Sequence, residues 1–200
     1  MGIKERKERS KAKVRMDILK AALFIIKTEG CQSLSMRKLA ESIEYAVPVI
    51  YEHFQNKEAI LIELCKQGYA VLIKKINRYC KGIVSPREKL EMIINTLWEF
   101  AIEEQELYQL MYSVGIGLNN VKQTFPEVSI FRKLVKDEIR TLPTRGKLAE
   151  DMLQCKYITF ISVAHGLISA NYFLKDIDPA INRKVLKEAI DNMAHSRNFN

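Results

Sequence analysis

The chain has 200 residues and a formal net charge of +8, and 48% of it is hydrophobic, enough for a sizeable core. No apolar run reaches the roughly 18–20 residues that cross a bilayer, and no apolar stretch follows the basic start, so neither a membrane protein nor a secretory signal is expected. The expected compartment is the cytoplasm, where the widely spaced Cys31, Cys65, Cys80 and Cys155 are free thiols rather than a zinc site, which would need close pairs.

The first 20 residues carry Lys4, Arg6, Lys7, Arg9, Lys11, Lys13, Arg15 and Lys20 against Glu5, Glu8 and Asp17. Such a positive arm suits a polyanion; a solvated, disordered start is the alternative. Apolar residues then recur at three- and four-residue steps, the period of amphipathic helices, and no alternating strand-like segment or hairpin signal interrupts them. A first helix is predicted from about Lys11 to Glu29, with Ile18, Ala22, Ile25 and Ile26 inward and Gly30 as its stop. A short second helix follows from Met36 to Ile43, with Ser35 as N-cap, and a third from Pro48 to Phe54. Asn56 caps a long fourth helix from Lys57 to Cys80, and Ser85 with Pro86 opens a fifth that ends near Glu103. A sixth covers Glu106 to Val114, with Gly115 and Gly117 after it. The seventh begins at Val121 or Ser129 and ends at Arg140. Pro143 and Gly146 mark a loop before an eighth helix from Lys147 to Leu174, and a ninth runs from Pro179 to His195. The expected fold class is therefore all-α, about nine helices, with one seam along the fourth.

Residues 35–54 join two short helices through about four residues. Leu39, Ala40 and Ile43 line one face of the first helix, and Ile50 and Phe54 line one face of the second. Small Ala40 allows a close crossing. That is the layout of a helix-turn-helix, whose second helix enters the major groove of DNA; a helical pair in an ordinary bundle is the alternative.

The stretch from Ile18-Leu19-Lys20-Ala21-Ala22 to Gly30, then Ser35, Leu39-Ala40, Ile50-Tyr51-Glu52-His53-Phe54 and Asn56-Lys57-Glu58-Ala59-Ile60-Leu61, resembles the N-terminal domain of the TetR (tetracycline repressor) family over roughly residues 14–62. The Tyr-x-His-Phe and Asn-Lys-Glu-x-x-Leu pieces are its most specific parts. The resemblance implies a DNA-binding domain over residues 1–62 and an effector-binding and dimerisation domain over 63–200. It also implies phosphate contacts by Tyr51, His53 and Lys57, which fix register without reading sequence. Packing within the motif is the other reading of Tyr51 and His53. Arg37 and Ser35 at the start of the second helix join the backbone contacts. Ala46, Val47, Pro48 and Val49 face base edges, and Glu52 is the main polar group among them. Where the family has Ala-Gly-Val in the turn, this chain has Ile43-Glu44-Tyr45. A left-handed glycine position is thus filled by a residue for which that conformation costs on the order of 1 kcal/mol, and a differently built turn is expected.

The second half is less specific. His165-Gly166 resembles a motif on the long eighth helix of one TetR subgroup. Trp98, Tyr108, Met111, Tyr112, Phe131, His165 and Tyr172 are the candidate lining of an effector cavity, with plain core packing as the alternative. His53, His165 and His195 have no motif-linked Ser, Cys or paired carboxylate, and no phosphate loop or metal-ligand cluster occurs. No enzyme, cofactor or metal is expected. The expectation is a homodimeric transcriptional regulator, a repressor released from a double-stranded DNA operator by a small apolar effector. The alternatives are a regulator without an effector and a helical protein-interaction module.

Overall fold

The computed structural model describes residues 2–112, 125–143, 148–174 and 178–195. Within them the chain is all-α. The helices are α1 (Ile3–Glu29), α2 (Met36–Ser42), α3 (Val47–His53), α4 (Lys57–Tyr79), α5 (Pro86–Glu103), α6 (Gln105–Tyr112), α7 (Pro126–Arg140), α8 (Glu150–Phe173) and α9 (Pro179–His195), with one 3-10 turn over Cys31–Ser33. The predicted features at Val114, Gly115, Gly117, Val121, Gly146 and Lys147 lie outside the described residues.

The local signals act where the sequence places them. Gly30 takes φ +86° and its N–H bonds the Ile26 carbonyl at 3.0 Å, which ends α1. The Ser35 hydroxyl accepts from the Lys38 N–H at 3.1 Å, and the Asn56 side chain accepts from the Ala59 N–H at 2.9 Å, satisfying first-turn donors of α2 and α4. Two expectations are corrected. α7 begins at Pro126, with Phe125 as its N-cap, rather than at Val121 or Ser129. The basic arm is helix, and α1 begins at Ile3 rather than Lys11. Lys, Arg, Glu and Ala are good helix formers, and the Glu5 carboxylate accepts from the Gly2 N–H at 3.2 Å, so the start is capped without any apolar face.

The described helices fall into two compact units. The first holds the residues up to Gly68 together with α6. Its core is built from Ile18, Ala22, Ile25 and Ile26 of α1, Leu39 and Ala40 of α2, Ile50 of α3, Ile60, Leu61 and Leu64 of α4, and Leu107 and Leu110 of α6. Gly68 explains how closely α6 packs on α4: a Cβ there would lie 2.5 Å from Met111 Sδ and 3.1 Å from Leu107 Cγ. The second unit holds Tyr69–Glu103 with α7, α8 and α9. Its apolar residues follow the helical step: Leu90, Ile93, Ile94, Leu97 and Phe100 on α5, Phe131, Val135 and Ile139 on α7, Leu153, Phe160, Ala164 and Ile168 on α8, Leu186 and Ile190 on α9. Tyr69 sets its ring 5.9 Å from Phe131 and 6.4 Å from Phe125. Arg87 of α5 pairs with Asp191 of α9 at 2.6 Å, and the buried Lys156 ammonium of α8 donates to the Met193 carbonyl in the last turn of α9.

Candidate nucleic-acid interface

α2 and α3 form the two-helix unit expected from the sequence. Leu39, Ala40, Ile50 and Phe54 are buried and hold the helices together. Between them Glu44 has φ +58°, the one non-glycine residue with positive φ among the described residues. The Tyr45 N–H bonds the Ala40 carbonyl at 3.0 Å, and the Glu44 N–H points to the Glu41 carbonyl at 3.4 Å. This is the Schellman pattern of a helix end. The expectation of a differently built turn is therefore corrected: Glu44 takes the left-handed conformation that glycine takes elsewhere, and the strain stays in the turn.

α3 turns Ile50 inward and Ala46, Pro48, Tyr51 and Glu52 outward, with Val47, Val49 and His53 half-buried at the edges. Its outer face is apolar apart from Tyr51 and Glu52. Tyr51 is 53% exposed, too open for its ring to be core packing. Tyr45, absent from the predicted contacts, is also exposed beside the start of α3. Its hydroxyl is a donor of the kind that meets phosphate.

The remaining predicted contacts surround this face. Ser35 is exposed at the start of α2, its oxygen engaged by Lys38 N–H. Arg37 is exposed and pairs with Glu41 one turn on, at 3.0 Å. The Lys57 ammonium donates to the Cys31 carbonyl at 2.8 Å, which ties the start of α4 to the 3-10 turn and leaves two further N–H donors on the ammonium. Arg15 of α1, which the sequence reads only as one cation of the basic arm, locks three helices together. Its guanidinium donates to the His53 carbonyl at 3.0 Å, pairs with Glu63 of α4 at 3.1 Å and stands 4.2 Å from the Phe54 ring centre. Burial lowers the pKa of the His53 imidazole, and the charges of Lys11 and Arg15 add to that against the opposing pull of Glu52. The exposed surface of α2, the turn and α3 also carries Glu41, Glu44 and Glu52.

The seven candidate ligand residues divide between the units. Tyr108, Met111 and Tyr112 lie on α6 in the first, with the two tyrosine rings 4.9 Å apart. Trp98, Phe131, His165 and Tyr172 lie in the second. Phe131 is core, and the Tyr172 hydroxyl donates to the Ala101 carbonyl. Burial pushes the His165 imidazole down to about 4. Trp98 lines an open cavity of about 390 Å³ in the second unit, together with Met92, Asn95 and Glu99 of α5, Asn171 of α8 and Asn182, Arg183 and Leu186 of α9. Asn171 and Asn182 exchange reciprocal amide bonds of 3.0 and 3.3 Å at its edge. The other six are not in its described lining. Among the described residues no helix is long and apolar enough to cross a membrane, and no cluster could hold a metal ion.

This two-helix unit lies inside a stretch that matches a known family. Residues 18–64 match the family model for bacterial regulatory proteins of the tetR family. Over these residues the chain is similar to the N-terminal domain of that family. The match ends inside α4, and the matched family is one of regulatory proteins, not enzymes. The chain is 32% identical over 80 residues to the fatty acid metabolism regulator protein of Bacillus subtilis, which covers 40% of this chain and 41% of that one. It is 34% identical over 62 residues to the class E tetracycline repressor protein of Escherichia coli, covering 31% and 28%. The matched stretches thus span less than half the length of these relatives. The fold of the TetR-type domain and of the helices after it is shared with a TetR-family transcriptional regulator from Haemophilus influenzae, at a TM-score of 0.61, 19% identity and coverage of 91% and 97%.

Proposed function

We propose that this chain is a cytoplasmic, homodimeric transcriptional regulator that binds operator DNA through α2 and α3 and represses transcription until a small apolar effector releases it. Residues 1–62 bind DNA in this reading, and 63–200 carry the effector site and the dimer contacts. The observation that carries the reading is the solvent-facing side of α3. Tyr51 and Glu52 stand beside Ala46, Pro48 and Val49 on a helix anchored from behind by Ile50, Phe54 and Arg15. Val47, Pro48 and Val49 can touch thymine methyls or exclude wrong bases, and Glu52 can accept from a cytosine amino group. Arg37, Tyr51, His53, Lys57 and the basic arm supply phosphate contacts, and Ser35 has a hydroxyl proton to donate.

Dimerisation through α8 and α9 is supported by apolar residues left open on both: Ile158 and Phe173 on α8, the latter 84% exposed, and Ile181 and Val185 on α9. An effector site is supported by the cavity at Trp98. Kinship with the His-Gly subgroup rests on His165-Gly166, where the half-buried imidazole is the candidate polar contact to an effector.

The experiment is a gel shift on the DNA upstream of the chain's own gene, with sedimentation of the free protein at micromolar concentration. A discrete complex that survives excess competitor DNA, formed by a dimer, is the expected result. A monomer, or binding that any competitor abolishes, overturns the reading. Replacing thymine by uracil in the bound site tests base reading: affinity should fall at one or more positions, and no loss anywhere removes methyl contacts from the proposal.

A further inference from the structure

α1 is longer than the core beneath it. Its buried residues begin at Ile18, and every described side chain from Lys4 to Lys13 is exposed. A helix keeps its register past the end of its core, so the face that buries Ile18, Ala22 and Ile25 continues N-terminally at three- and four-residue steps. Along that line stand Arg15, Lys11, Lys7 and Lys4, with Glu8 as the carboxylate among them. Arg15 fixes where the line points. Its bond to the His53 carbonyl and its position over Phe54 set this face against the C-terminal end of α3. Lys11 is one turn beyond Arg15 and close enough for its charge to act on His53. Lys4 is about 16 Å beyond Arg15, at 1.5 Å per residue. Among the described residues Lys4, Lys7 and Lys11 have no ion-pair partner, whereas Arg37 and Lys38 on α2 each have one. The opposite side of the helix carries Arg6, Lys13 and Lys20.

We propose that the N-terminal turns of α1 are an outrigger whose Lys4–Lys7–Lys11 face binds the phosphate backbone of duplex DNA next to the stretch that α3 contacts. The inference rests on the helix-turn-helix reading and extends the contacted DNA beyond it. Lysine suits such a contact, because a compact ammonium on a flexible stem meets a phosphate as a point charge and reads no base. An acidic protein would meet the same charge, but this face runs on from Arg15 and Lys11, which stand beside His53 at the end of α3, where a duplex already lies in that reading.

The test uses the full chain and duplexes it selects from a random-sequence pool, with the selected core held constant and the flanks trimmed in steps. K4A/K7A/K11A is compared with R6A/K13A/K20A, which removes the same charge from the other face. Both variants should keep the wild-type melting curve, since alanine favours an exposed helix. Each phosphate contact contributes about 0.9 to the slope of log K against log salt, so with three lysines removed from each protomer of the dimer the first variant should lower that slope by about 4 to 6 and the second by less than about 2. Trimming the flanks should weaken wild-type binding and leave K4A/K7A/K11A unaffected. Equal slopes for the two variants, or equal sensitivity of wild type and K4A/K7A/K11A to trimming, overturn the proposal. If no sequence is enriched, sequence-specific reading by α3 has failed, and the slopes of the two variants on random duplex still decide whether this face binds phosphate.

Discussion

Glu44 stores strain at the hinge of the recognition unit, and removing it should stabilise the protein. Its φ of +58° places an L-residue in the left-handed region, at a cost of about 1–2 kcal/mol. Glycine adopts that conformation freely but surrenders about 0.5–1 kcal/mol more chain entropy on folding. The difference leaves Glu44→Gly more stable by about 0.5–1 kcal/mol. For a chain of this length that corresponds to a rise in melting temperature of about 1–4 °C. The hydrogen bonds from the Tyr45 and Glu44 N–H groups to Ala40 and Glu41 involve only backbone, so the substitution leaves them in place. Thermal unfolding followed by circular dichroism measures the shift. Glu44→Ala is the control, because it removes the same charge and keeps the strain. The reasoning is refuted if alanine stabilises as much as glycine, which would assign the gain to charge, or if glycine destabilises.

Three further outcomes follow from the same geometry. The lowered pKa of free His53 should rise beside a phosphate, so DNA binding should take up a proton and tighten as pH falls from about 7.5 to 6. Anisotropy titrations at fixed ionic strength should show that trend in wild type and not in His53→Gln. His165 titrates at about 4 when folded and near 6.5 when unfolded, so the unfolded state binds the proton first. The associated stability is present above pH 6.5 and is lost, up to about 3 kcal/mol, as pH falls toward 4; urea unfolding of His165→Leu should lack that part of the slope. Gly68→Ala should destabilise the protein by about 1–2 kcal/mol despite the better helix propensity of alanine, because its Cβ enters the space of Met111 Sδ, and Met111→Ala in the same chain should restore part of the loss.

The parts of the fold legible in the sequence are those that local chemistry decides. Ser35, Asn56, Ser85 and Pro86 mark helix starts because capping is a matter of three or four residues, and the inward face of α1 follows from apolar spacing. The helical arm is not legible by that spacing. It has no apolar face to reveal a period, and its helix depends on propensity and the Glu5 contact. The role of Arg15 is hidden for another reason. Its partners lie 38 to 48 residues away, at His53, Phe54 and Glu63, and only the folded helices bring them together. The place of α6 in the first unit is equally non-local, although Gly68, inside a long helix where alanine would be more stable, is the trace it leaves in the sequence.

The charges around the recognition unit divide its work between helices. α3 presents apolar groups, one tyrosine and one carboxylate outward, so it can discriminate bases but attracts a polyanion poorly. Glu41 and Glu44 beside it oppose approach further, and Arg37 is partly neutralised by Glu41. If the unit binds DNA as proposed, the attraction comes from outside α3: from Lys57 at the start of α4 and from the exposed lysines of α1, the helix that Arg15 ties to the end of α3. This separation has a mechanical consequence. A substitution at Val49 should change which sequences bind and leave the salt dependence alone, whereas Lys11→Ala should lower the salt dependence and leave the sequence preference alone, because Lys11 is an exposed cation on α1 that faces no base in this reading.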